Sequence, residues 1–189
     1  MIRPNTNGDL PKVDPTAYID PSAQVIGNVH IGAEVFVGPN AVVRADESDA
    51  KGQVHSIEIG AECNIQDGVI IHALGGTSVT IGERTSLAHG CVVHGPCTIG
   101  KECFIGFRAV VYKAALADGV FVNASAVVQG VDLVANAFVP SGAIVSSSND
   151  VSQLVSTTSK ADREFSEKIV TANLALTKGY RQLKLPESV

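Results

Sequence analysis

A period of six residues constrains this chain more than any other feature. Aliphatic side chains recur at Val13, Ile19, Val25, Ile31, Val37 and Val43, and four residues after each of the first five stands a second small or β-branched residue, Ala17, Ala23, Val29, Val35 and Ala41. The sixth such position is Glu47, the first polar exception. The frame resumes at Ile59, Ile65 and Ile71, runs through Ile81, Leu87, Val93, Ile99, Ile105 and Val111, and continues with one-residue slips through Leu116, Val122, Val128, Leu133, Val139 and Val145. Six-residue spacing does not make one face of a helix. It suits a short flat strand, a corner, and another strand. One such unit cannot bury its apolar side alone, so successive hexads must stack into a prism with parallel ladders. The fold expected is an all-β solenoid over 1–148, with three hexads and about eighteen residues per coil, and a C-terminal helical segment over 149–189.

In that segment, Ser146 to Asp150 can cap a short helical turn at Val151 to Val155, and Ser159 with Asp162 has the form of a capping box opening a longer helix. Phe165, Ile169, Ala172 and Leu176 form its apolar stripe, expected to pack along the prism, and Gly179 is a plausible stop. Two polar insertions, Glu47 to Ser56 and Gly75 to Thr80, interrupt the hexads and must bulge from corners. Insertions in solenoids gather on one face, often the binding face.

The same frame locates the residues that can carry chemistry. His72 and His94 are both second residues of their hexads. Their separation is one coil plus the four extra residues of the second loop, so they stack on one face, about 4.8 Å apart strand to strand. That spacing suits two imidazoles converging on one metal ion with bonds of about 2.0 to 2.1 Å. His89 is a third residue and lies on a neighbouring face, pointing away from the pair within one chain. Three prisms around a threefold axis could bring His89 to the pair of the next chain, so a site completed by a homotrimer is expected. Arg44 stacks one coil before His72, and Asp67 one coil before His89, with Gln66 beside it. Cys63, Cys91, Cys97 and Cys103 all occupy the fifth position of their hexads and read as small inward hydrophobes rather than metal ligands. His30 and His55 read as ordinary surface or core histidines.

Composition narrows the function classes. A net charge of -5 without a run of Lys or Arg argues against nucleic acid as a partner. No run approaches the roughly 18 apolar residues of a membrane span, and the first residues lack a signal-peptide core. Four reduced thiols fit a cytoplasmic protein.

The segments RADE (Arg44 to Glu47), NIQDGVIIHAL (Asn64 to Leu74), SLAHGCVVHGP (Ser86 to Pro96) and IGFRAVV (Ile105 to Val111) together resemble the γ-class carbonic anhydrases, including the related N-terminal domain of the carboxysome assembly protein. The resemblance covers nearly the whole chain. It implies a left-handed parallel β-helix of hexapeptide repeats and a trimer. Each of its three metal ions is held by His72 and His94 of one subunit and His89 of the next. It implies zinc, with ferrous iron or cobalt as alternatives, and reversible hydration of carbon dioxide to bicarbonate by a metal-bound hydroxide. It further implies that Gln66 hydrogen-bonds the hydroxide, that Glu47 and Asn173 line the site, and that Arg44 and Asp67 form an ion pair across the subunit interface. One departure stands out. The archetypal member carries a proton-shuttling glutamate just after the motif matched by His72, Ala73 and Leu74, where this chain has Gly75. Two other readings remain: a non-catalytic or weakly active trimeric metal-binding scaffold, and a hexapeptide acyltransferase or thioesterase-like relative.

Overall fold

A computed structural model describes residues 1–183; residues 184–189 of the expected C-terminal segment lie outside it. The chain forms a parallel β-solenoid of about seven turns followed by a C-terminal helix. Every aliphatic residue of the hexad frame from Val25 to Val145 is buried, and together they make one continuous core along the prism axis. The four cysteines are buried in that core and free of disulfides, as the frame implied. Burial pushes the thiols of Cys63, Cys91 and Cys103 up to about 12 and that of Cys97 to about 11, so they stay protonated and serve as packing groups.

The ladders define three faces. On the histidine face, Val42 pairs with Ile70, Ile70 with Val92, Val92 with Val110, and Val110 with Val127. Alternation of side chains along each strand points these residues outward, as it does the column Arg44, His72, His94, Tyr112 and Gln129 two residues further on. The second face presents Tyr18, Phe36, Asn64, Ser86, Phe104, Phe121 and Phe138 in register. The third is polar, with Lys12, His30, Glu58, Thr80 and Thr98 in line.

Both long insertions leave the coil at the same corner, between the histidine face and the polar face. A single residue, Asn28, turns this corner between the strands Gln24–Gly27 and Val29–Ile31. One coil later the stretch from Asp46 to Ser56 does so, and the next coil uses Ala73 to Ser78, so Val79 and Thr80 of the expected second insertion belong instead to the following strand. The turn between Ile2–Arg3 and Lys12–Val13 occupies the same corner of the first coil.

α1 (Ser148–Leu154) is capped by Ser147 and packs on Ile144–Val145, closing the last coil. A two-residue strand, Ser156–Thr157, then pairs antiparallel with Ala137–Val139, an edge cover that the hexad frame does not announce. α2 (Lys160–Gln182) opens on the Ser159–Asp162 capping box and runs back over the aromatic face. Phe165 meets Phe104 edge-on with centroids 5.4 Å apart, and Tyr180 stacks on Tyr18 at 4.8 Å. Arg84 bridges Glu62 in the solenoid and Glu167 on α2.

Two expectations for this helix need correction. Its buried residues are Val170, Asn173 and Thr177; of the expected stripe Phe165, though partly exposed, packs on Phe104 and Ile169 packs inward, whereas Ala172 and Leu176 stay exposed. The aromatic rings already fill the contact at either end, which leaves only smaller side chains to be enclosed between them. Gly179 also does not end the helix, which continues to Gln182, held by the Tyr180 stack and by Arg181 donating to the Pro15 carbonyl at 3.0 Å.

Candidate metal centre

The register does what the residue count required: His72 pairs directly with His94, and Arg44 with His72. His72 Nδ1 lies 3.1 Å from His94 Nε2, with the rings edge-on at 4.9 Å between centroids. His94 Nδ1 faces the Gly95 carbonyl at 3.1 Å. Donation there fixes the tautomer and leaves Nε2 with a free lone pair. Two nitrogen ligands of one tetrahedral ion, bonded at about 2.0 to 2.1 Å, stand about 3.3 Å apart. The pair is therefore already near ligand spacing. His72 is buried and His94 half-buried. Burial, followed by the nearby Arg44 cation, holds the His72 pKa below its ordinary value, which favours the neutral imidazole that a cation needs.

Among the described residues, four buried side-chain atoms lack a hydrogen-bond partner: Asp46 Oδ1, Asn64 Oδ1, Gln66 Oε1 and His72 Nε2. Three are acceptor oxygens, whereas His72 Nε2 faces the Asp46 and Glu47 carboxylates at 3.6 and 3.4 Å, which suits an N–H there and leaves Nδ1 as the lone-pair nitrogen beside His94 Nε2. Buried polar groups are seldom left unpaired; the Asp46 oxygen beside His72 and the Gln66 oxygen at the corner stay open to a further partner, whereas Asn64 lies on the aromatic face. The donors are imidazole nitrogen, carboxylate and carboxamide oxygen, a set suited to a divalent cation and its water. No group of three His, Cys, Asp or Glu side chains converges among the described residues.

His89 lies on the neighbouring face with a half-exposed side chain, its Nδ1 3.6 Å from Asp67 Oδ2 and its ring parallel to that of Phe107 at 5.7 Å. Arg44 pairs within the chain with Asp46 at 3.1 Å, not with Asp67. Gln66 is buried at the corner next to Asp67. Asn173 is buried on α2, donating to the Ile169 carbonyl at 2.9 Å, so its side chain is engaged inside its own helix.

Glu47 sits on the first insertion with Oε1 3.4 Å from His72 Nε2, and its Oε2 accepts from the Gly75 amide at 3.1 Å. Asp46 is the residue that the hexad frame passed over. Its Oδ1 is 3.6 Å from His72 Nε2 and its Oδ2 takes the Arg44 guanidinium. Strand alternation was the available signal, since Arg44 and Asp46 flank the inward Ala45 and must share the outer side.

The fold and this pattern have known counterparts. The family model for the bacterial transferase hexapeptide (six repeats) matches residues 11–45 and 78–113. A carbonic anhydrase from Methanosarcina thermophila is 34% identical over 198 residues, which cover 94% of this chain and 78% of that protein. The carboxysome assembly protein CcmM of a Nostoc species is 35% identical over 179 residues, 89% of this chain but only 31% of CcmM. Among solved structures, a hexapeptide transferase family protein from Anaplasma phagocytophilum matches with a TM-score of 0.80 at 25% identity, covering 95% of this chain and 98% of that one.

Proposed function

Because the chain belongs to the hexapeptide-repeat family that includes γ-class carbonic anhydrase, we propose that it hydrates carbon dioxide to bicarbonate and a proton at a metal site shared between subunits of a homotrimer. The observation that carries this reading is the pair His72 and His94, with nitrogens 3.1 Å apart. His72 and His94 would hold the ion from one subunit and His89 would reach it from the next. Zinc suits three neutral imidazoles, and ferrous iron or cobalt can take the same donors. The cation, when bound, supplies Lewis-acid activation of water at neutral pH.

The outward apolar column beside the histidines supports the trimer. Ile70 and Ile144 are 44% and 63% exposed, and Phe107 beside His89 is 47% exposed. Contiguous apolar surface of this kind is normally covered by a partner. Packing it against the face that carries His89 would bury both and bring Arg44 and Asp67 together as an ion pair across the interface. Gln66 would direct its unpartnered Oε1 at the reacting water, Glu47 would hold a carboxylate beside it, and Asn173 would line the site from α2. With Gly75 where the archetype has its shuttle, the product proton has no mobile carboxylate at that position, so turnover should rise with buffer concentration.

The test is complementation. Native mass spectrometry and metal analysis of protein reconstituted anaerobically with zinc or ferrous iron should give a trimer with about one ion per chain, and stopped-flow hydration should exceed the buffer rate. His89→Ala and His72→Ala should each lose metal alone, yet recover part of it as mixed trimers, because one chain supplies the pair and the other supplies His89. No recovery on mixing would refute the shared site. Full metal with no hydration by either ion would favour the scaffold reading.

A further inference from the structure

Resting on the hydration reading above, we infer that Asn5 and Asn7 are positioning residues for Glu47, and that the N-terminal turn is a strap fixing the loop that carries it. Asn5 is buried, and its carboxamide is used at every point. Its Oδ1 accepts from the amides of Asn7 and Asp9 at 2.9 and 3.0 Å, and its Nδ2 donates to Asp9 Oδ2 at 2.9 Å. Those three bonds build the turn. The fourth leaves it: Nδ2 also donates to the Ala45 carbonyl at 3.1 Å, forty residues away. Ala45 is the last residue of its strand before Asp46 and Glu47.

Gly27 makes this reach feasible. A Cβ there would sit 2.0 Å from the Ala45 oxygen and 3.0 Å from Asn5 Cβ, and its φ of +81° is one that side-chain-bearing residues rarely adopt. Asn7 makes the second tie, with Nδ2 donating to the Gly52 carbonyl at 2.6 Å. Gly52 lies at the tip of the insertion, where Asp49 Oδ1 accepts the amides of Lys51 and Gln53 at 2.8 Å each and Ser48 bridges Val54. Neither tie is part of the turn itself: the exposed Asn7 donor could be satisfied by water, and the buried Asn5 donor already has the Asp9 carboxylate. On the opposite side the Gly75 amide holds the Glu47 carboxylate. The loop is gripped between the turn before it and the turn after it, so Glu47 is held in place before substrate arrives, and preorganisation of this kind is what a displaced supporting residue forfeits.

The experiment uses Asn7→Ala, whose side chain is exposed and whose tie to Gly52 can be lost without unfolding the chain, and Asn5→Asp, which keeps the volume and the Oδ1 acceptor but removes the Nδ2 donor. Hydrogen exchange over residues 46–56, bound metal and hydration kcat are measured on the full-length trimer. Exchange in 46–56 should quicken in both variants, metal should stay at the wild-type ratio, and kcat should fall by about tenfold. Neither variant should lower kcat further when Glu47→Gln is already present. Unchanged exchange in Asn7→Ala, or losses that multiply with Glu47→Gln, would overturn the assignment. Hydrogen exchange needs no turnover, so a wild type without hydration would sink the functional reading while the strap is still judged on residues 46–56.

Discussion

Restoring a glutamate at position 75 should damage the protein rather than improve it. The Gly75 backbone packs so closely on the first insertion that a Cβ would stand 2.7 Å from the Ser48 carbonyl oxygen, about 0.7 Å inside ordinary van der Waals contact, and 3.6 Å from Glu47 Cβ. Ser48 is backbone held by its bridge to Val54, so the clash cannot be relieved by turning a flexible side chain. Overpacking of this sort costs about 1 to 3 kcal/mol. For a chain of this length each kcal/mol lowers Tm by about 2 to 4 °C, so Gly75→Glu should melt about 2 to 12 °C lower. The yielding loop carries Glu47, and the new carboxylate would add like charge beside it. Hydration turnover should therefore not rise. Gly75→Ala separates the steric part from the charge and should show most of the thermal loss. Calorimetry and stopped-flow hydration on the same preparations decide the matter. A Gly75→Glu protein with unchanged Tm and faster turnover would refute the claim that this loop has no room for a side chain.

Three other perturbations test the scaffold. Ile71 is fully buried beside His72, so Ile71→Ala should cost about 2 to 5 kcal/mol, read as a lower urea midpoint at constant slope. Ser159→Ala removes one half of the capping box and should cost about 0.5 to 2 kcal/mol, seen as faster amide exchange in the first turn of α2. The four cysteines, buried and with thiols pushed up to about 11 to 12, should resist an aromatic disulfide reagent at pH 8 in the native state and all react after unfolding. Labelling of one thiol in the native protein would locate an opening of the prism.

The core was legible in the sequence because a single rule, one aliphatic residue inward per hexad, governs every coil. From that rule alone the pairing of His72 with His94, and of Arg44 with His72, followed by counting. The contacts made by the insertions did not follow, since no period governs them: the grip of Gly75 on Glu47 and of Asn5 on Ala45 depends on how two loops meet in space. The enclosed face of the helix does not follow from its hydrophobic stripe for a different reason. The surface beneath it is aromatic at Phe36 and at Phe104, with Asn64 and Ser86 between. Large rings at the ends and small polar groups in the middle favour Asn173 and Thr177 over Leu176 as the enclosed residues. The in-register column Tyr18 to Phe138 was visible in the sequence, one residue ahead of each aliphatic, and would have predicted this seam.

The shared corner has one more consequence. The distance along the chain between His72 and His94 is set by whatever loop lies there, while their distance in space is set by one rise of the coil. A loop of any length at that corner leaves the two imidazoles paired, whereas one extra residue within Ile70–His72 would turn His72 into the prism. The chain thus separates a ruler that spaces the donors from a tether that can be lengthened or cut. Proteins built this way diverge freely in the tether, and counting coils rather than residues is the way to recognise the same site in them.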